Sequence, residues 1–100
     1  MPVYVRYSGW YVFFWTNEGA EPIHFHIAEG KPAENATKIW VLKNHSFRLA
    51  NNNSHVPSKI LRHILAVMQA SVEEYESFWK MYQKNLHYID CCSYHELTNC

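Results

Sequence analysis

The sequence predicts an α+β domain, an antiparallel β-meander of about four strands followed by two C-terminal helices packed on one face. Three observations carry this. Short runs of β-branched and aromatic residues alternate with turn formers through the first half of the chain. The connections between those runs are short, which favours antiparallel neighbours over crossovers. After the polar break at residues 51–54 the apolar period changes from that of a strand to that of a helix. Strands first and helices last make a sheet with a helical layer on it, not a set of βαβ units.

Val3-Tyr4-Val5-Arg6-Tyr7 is the first strand, and Ser8-Gly9 supplies a tight turn into Trp10-Tyr11-Val12-Phe13-Phe14-Trp15. That second strand is apolar on both faces, the pattern of a central strand or of a partner surface, and it also admits self-association into a homo-oligomer. Asn17 to Pro22 holds the residues of a longer connection, and Pro22 biases Glu21 toward an extended entry to the next strand. In Ile23 to Ile27 the period is two, with Ile23, Phe25 and Ile27 pointing one way and His24 and His26 the other. Gly30-Lys31-Pro32 ends this strand, and Thr37 to Leu42 forms a fourth. Phe47-Arg48-Leu49 reads either as a short extra strand or as an ordered loop.

Ile60, Leu61, Ile64, Leu65 and Met68 fall on one face of a helix that Pro57 precedes. Ser71-Val72-Glu73-Glu74 has the spacing of a capping box, so a second helix is expected to begin at a hinge near Ala70 and Ser71. Tyr75, Phe78, Trp79, Tyr82 and Leu86 form its aromatic and apolar stripe, a core face by its spacing.

A chain of 100 residues with 48% hydrophobic and 16% aromatic residues can close one core and is too apolar to stay disordered. The expected organisation is a single domain over residues 1–88 with a tail at 89–100. No apolar run approaches the roughly 20 residues that span a bilayer, and the N-terminus lacks the order of a signal peptide, so a cytoplasmic protein with no membrane partner is expected. Three cysteines, Cys91, Cys92 and Cys100, are odd in number and include an adjacent pair, so they form no fully paired disulfide framework. The glycines are not grouped into a phosphate loop, there is no nucleophile elbow, and no cofactor is expected.

Net charge is zero, which excludes bulk attraction to nucleic acid or membrane. Its distribution is uneven, because no Asp or Glu lies between Asn35 and Val72, where Lys38, Lys43, Arg48, Lys59 and Arg62 fall. With Trp40 and Phe47 interleaved, Lys38, Lys43 and Arg48 are candidates for binding RNA or another anion; an ordinary solvated face and a surface for an acidic protein give the same pattern.

His24 and His26 are the leading candidates for chemistry. Alternate residues of a strand stand about 7 Å apart on one face, so both imidazoles can serve one phosphate as acid and base or converge on one metal ion. The same spacing also describes the solvent side of a half-buried strand. Glu18 and Glu21, in the turn before them, are placed to orient an imidazole through its second nitrogen. Cys92-x-x-His95 has a zinc-like spacing, but adjacent cysteines and a terminal tail make a poor metal platform, and no metal site is assigned there.

Several of these stretches occur together in a known family. The Met1 to Val5 start, the Gly9 to Trp15 strand, the Asn17-Glu18-Gly19 turn and the Pro22-x-His24-x-His26 strand resemble the small bacterial proteins catalogued as domain of unknown function 4160. So do the tryptophan-bearing strand Ile39 to Leu42 and the two helices ending in Phe78-Trp79. The asparagine-rich link and the cysteine-bearing tail depart from that pattern. Members of the family are often encoded beside a second small protein, and some resemble the toxin half of a toxin-antitoxin pair. The resemblance therefore implies a small cognate partner protein and makes His24, His26 and Glu18 the active or recognition residues. It leads to the expectation of a toxin-like component acting on RNA. A non-catalytic interaction module, antitoxin or adaptor, and a metal-binding protein are the alternatives.

Overall fold

The computed structural model describes residues 1–18 and 20–89. Five strands and two helices follow one another in the order β1 (Val3–Tyr7), β2 (Trp10–Phe13), β3 (His24–Glu29), β4 (Thr37–Val41), β5 (Phe47–Asn51), α1 (Ser58–Ala70) and α2 (Val72–Tyr82). The strands form one antiparallel sheet in chain order, β1-β2-β3-β4-β5, so the meander has five members where about four were expected. The fifth is Phe47–Asn51, whose largely exposed, weakly alternating residues mark an edge strand and give little local signal.

Ser8 and Gly9 close the first hairpin with φ of 51° and 85°, the positive pair that a two-residue type I′ turn needs to match the twist of its strands. β2 stops at Phe13, two residues earlier than its apolar run suggests, because Phe14 and Trp15 leave the ladder for the loop. β3 is central, with Phe13 opposite His26 on one side and Trp40 opposite His24 on the other.

One face of the sheet carries Trp10, Val12, Phe25, Ile27, Ile39 and Val41, packed against Ile64 and Met68 of α1 and Val72, Tyr75 and Trp79 of α2. Both helices thus lie on one face, as their stripes require. The doubly apolar character of the second strand is accounted for within the chain: Val12 faces the helices, and Phe13 faces the other way into a small cluster with Ala28 and Ala36.

The capping box does not form. A single residue, Ser71, both ends α1 and begins α2, and it makes no side-chain bond to the new helix. Its hydroxyl instead donates back to the Val67 carbonyl at 3.0 Å, the i−4 bond open to a serine still attached to the preceding turn. Glu73 and Glu74 in the first turn and Lys80 in the last still carry the signs the helix dipole favours. Leu86 lies beyond α2, in a return segment anchored where Ile23 donates to the His87 carbonyl at 2.8 Å and the Trp79 indole donates to Asn85 at 2.9 Å.

The asparagine-rich link is a hydrogen-bonded clip. Asn52 Oδ1 accepts from the Thr37 hydroxyl and from the Val56 backbone N–H, while its amide donates to the Val56 carbonyl. Ser54 and Thr37 exchange a second pair of bonds, tying the entry of α1 to the start of β4. Cys91, Cys92, His95 and Cys100 lie outside the described residues, as does Gly19. None of the described helices is long and apolar enough to cross a membrane.

Candidate functional site

The loop between β2 and β3 folds Glu18 back over the sheet. Its carboxylate accepts the Trp15 N–H at 2.9 Å while its own N–H donates to the Trp15 carbonyl at 3.2 Å, a reciprocal clip that fixes where the side chain points. It points at the histidines. His24 Nε2 lies 2.9 Å from Oε1 of Glu18, and His26 Nε2 lies 3.1 Å from Oε2 and 3.3 Å from Oε1. Nitrogen and oxygen donors of all three residues fall within 4.8 Å of one another.

Period two does put both histidines on one face, but that face is not solvated at this point. His24 is fully buried and His26 is 5% exposed. The reason is tertiary: the β2–β3 loop covers them from one side, and their rings pack against aromatic neighbours. His24 packs against Trp40 of β4 and Trp79 of α2 at 5.7 and 5.2 Å between centroids, and His26 packs against Phe13. The Tyr75 hydroxyl, reaching across from α2, donates to the His24 carbonyl.

Burial alone pushes the Glu18 carboxyl up. Hydrogen bonds from His24, His26 and the Trp15 amide, with the charge of His24 behind them, outweigh that and hold the group well below the usual carboxylate range. Glu18 is therefore an anion throughout the neutral range. It is also the member of the trio that reaches open space, on a depression of about 480 Å³ lined by Trp15, Asn17, Glu18, Glu21 and Glu34.

Glu21 orients no imidazole. It pairs instead with Lys38, whose ammonium also sits 4.3 Å above the Trp40 ring. The cross-strand register places Lys38 opposite His26 and Arg48 opposite Trp40, so both share the histidine face. Lys43 does not join them; it is exposed in the β4–β5 turn. Trp79 and Glu34, which help shape the site, carried no local signal, since one reads as helix core and the other as a loop acid.

The chain was compared with known proteins on this basis. The family described as Domain of unknown function (DUF4160) matches residues 9–80, more than half of the sequence and all of the site. The chain belongs to this family. No curated protein and no solved structure matches it. Within this DUF4160 chain the matched segment runs from the β1–β2 turn into the last turn of α2, so Glu18, His24, His26 and the packing residues Trp40, Tyr75 and Trp79 all lie inside it.

Proposed function

We propose that the sheet face carrying the histidines is the working surface of this chain, that Glu18, His24 and His26 are its reactive centre, and that it is the toxin-like component of a two-protein module acting on RNA. The observation that carries the reading is the convergence of both Nε2 atoms on one buried carboxylate. A buried trio of this kind is an expensive way to fill a core, because apolar residues of the same volume would hold the fold as well or better. Chemistry gives it a purpose that packing does not.

The surroundings support RNA as the target. Tyr11, Trp15 and Trp40 are half-buried on or beside this face, with Lys38 and Arg48 among them. Aromatic rings accept unstacked bases, and the cations hold the phosphates between them. In the cleavage step a base of the centre takes the ribose 2′-hydroxyl proton, that oxygen bonds to phosphorus, the bond to the 5′-oxygen breaks, and the departing oxygen is protonated.

The test is expression of the chain alone and together with the neighbouring small reading frame. Growth inhibition by the chain alone, relieved by the neighbour and by Glu18→Gln or His26→Gln in folded protein, is the expected result. Variants that inhibit growth as the parent does would sink the assignment of the centre. A second reading, a non-catalytic interaction module, is favoured by Met81 and Tyr82, which leave 73% and 47% of their surface exposed at the end of α2. A strict monomer that captures no cognate partner on size-exclusion chromatography counts against it.

A further inference from the structure

The two ring nitrogens of His24 face two acceptors. Nδ1 stands 2.8 Å from the Pro22 carbonyl oxygen, which can only accept, so Nδ1 carries a hydrogen. In the neutral ring Nε2 then presents a lone pair, and 2.9 Å in front of it is Glu18 Oε1, an oxygen that also only accepts. Two lone pairs directed at each other need something positive between them. A second ring proton is one answer, at the cost of a buried imidazolium. A metal ion is the other.

His26 brings a second ring nitrogen to the same carboxylate. Its Nε2 meets both Glu18 oxygens, while its buried Nδ1 has no hydrogen-bond partner among the described residues, so this ring either donates from Nε2 to Glu18 or offers Nε2 to an ion with Nδ1–H unpaired. The fold leaves one polar atom of this ring unsatisfied, which ordinarily costs about 1–3 kcal/mol, and directs the other nitrogen at the carboxylate. The ring is placed for what Nε2 touches.

We propose that Glu18, His24 and His26 bind one divalent transition-metal ion through the carboxylate and the two Nε2 atoms, zinc being the ion this donor set suits. Two histidines and one glutamate are a recurrent catalytic zinc set, with bonds of about 2.0–2.2 Å that put neighbouring donors about 3.4 Å apart in a tetrahedron. The nitrogen–oxygen contacts here are 2.9 to 3.3 Å and the three ligand atoms all lie within 4.8 Å of one another, so the nitrogen–oxygen pairs spread by about half an ångström to admit the ion. Two of the three residues have the supporting contacts that metal ligands use. The bond from His24 Nδ1–H to Pro22 fixes which nitrogen is offered, and the Trp15 N–H holds the Glu18 carboxylate. The depression on which Glu18 opens is lined by Glu21 and Glu34 as well, a field that concentrates cations, and its space lets water or a substrate oxygen complete the coordination.

This deepens the reading of the trio as the reactive centre and rests on it only for what the ion is used for. Binding is tested on the full chain, carrying no histidine tag and stripped with chelator, by calorimetric titration with Zn2+ and by nitrogen NMR of the histidine rings. One Zn2+ per chain is expected, with the Nε2 resonances of His24 and His26 moving and those of His45 and His55 staying put. Glu18→Gln should weaken binding by more than about 100-fold, beyond the 10–100-fold typical of a supporting residue, while His55→Gln leaves it unchanged. No saturable binding overturns the proposal. So does binding that survives Glu18→Gln but vanishes when Cys91, Cys92 and Cys100 are all changed to Ser. If Glu18→Gln does not fold, the ring resonances of the parent chain decide alone. Failure to bind zinc while growth inhibition still depends on Glu18 leaves the reactive centre standing without its ion; zinc binding without any growth inhibition removes the toxin-like role and keeps the metal.

Discussion

Tyr75 on α2 donates its hydroxyl to the backbone carbonyl of His24 on β3, joining the helical layer to the strand that carries the histidines. Both partners are fully buried. Burial pushes the Tyr75 phenol well above its ordinary range, with the charges of Glu18 and Tyr4 acting in the same direction, so the hydroxyl stays protonated and remains a donor.

Tyr75→Phe keeps the ring and its edge-on contacts with Tyr4, Phe14 and Phe25 but leaves the His24 carbonyl without that donor. A loss of about 1–2 kcal/mol is expected, measured by urea denaturation. A variant as stable as the parent would mean that the carbonyl finds another donor.

The Asn52 clip is the feature to test in the link. Asn52→Ala removes bonds to the Thr37 hydroxyl and to both backbone groups of buried Val56. Destabilisation of about 2 kcal/mol or more is expected, against a change within about 0.5 kcal/mol for exposed Asn53→Ala. Equal effects at the two positions would show that the link is only a spacer.

Tyr88 gives a pH dependence. Burial, then the bond to Glu76 and the charge of that carboxylate, push its phenol from 10.0 to about 12. The fold holds the neutral form, so this contribution is complete below pH 10 and is lost as pH rises toward 12. Tyr88 is only partly buried and its effect is therefore screened. The stability gap between the parent and Tyr88→Phe should shrink from pH 9 to pH 12; a gap that stays constant would show that the Glu76 bond does not form in solution.

Lys38 separates function from stability. Its pairing with Glu21 lies at the surface, where such pairs contribute less than about 1 kcal/mol, so Lys38→Met should leave the unfolding midpoint nearly unchanged. RNA affinity should fall several-fold and lose part of its salt dependence, read by titration at two ionic strengths. Unchanged affinity would remove Lys38 from the proposed surface.

Ser71, Glu73 and Glu74 satisfy every local rule for a capping box, yet the serine hydroxyl goes to Val67 because Ser71 also closes the helix before it. The fifth strand has no strong alternation, since an edge strand is ordered by its neighbour more than by its own residues. Glu18 and Glu21 are equivalent in sequence as turn acids. One became the partner of both histidines and the other of Lys38, a division set by how the loop folds back.

The class, the order of strands and helices, and the sharing of one face by His24 and His26 are legible in the residues alone, because they follow from periods of two and of 3.6 residues and from the turns between them. That this face is buried at the histidines is a property of the folded chain. Burial there depends on Trp40, Trp79 and the β2–β3 loop meeting around β3, contacts between positions as far apart as His24 and Trp79. Local periodicity states which way a side chain points. What waits there is set by the packing of the whole chain, and here it is the Glu18 carboxylate.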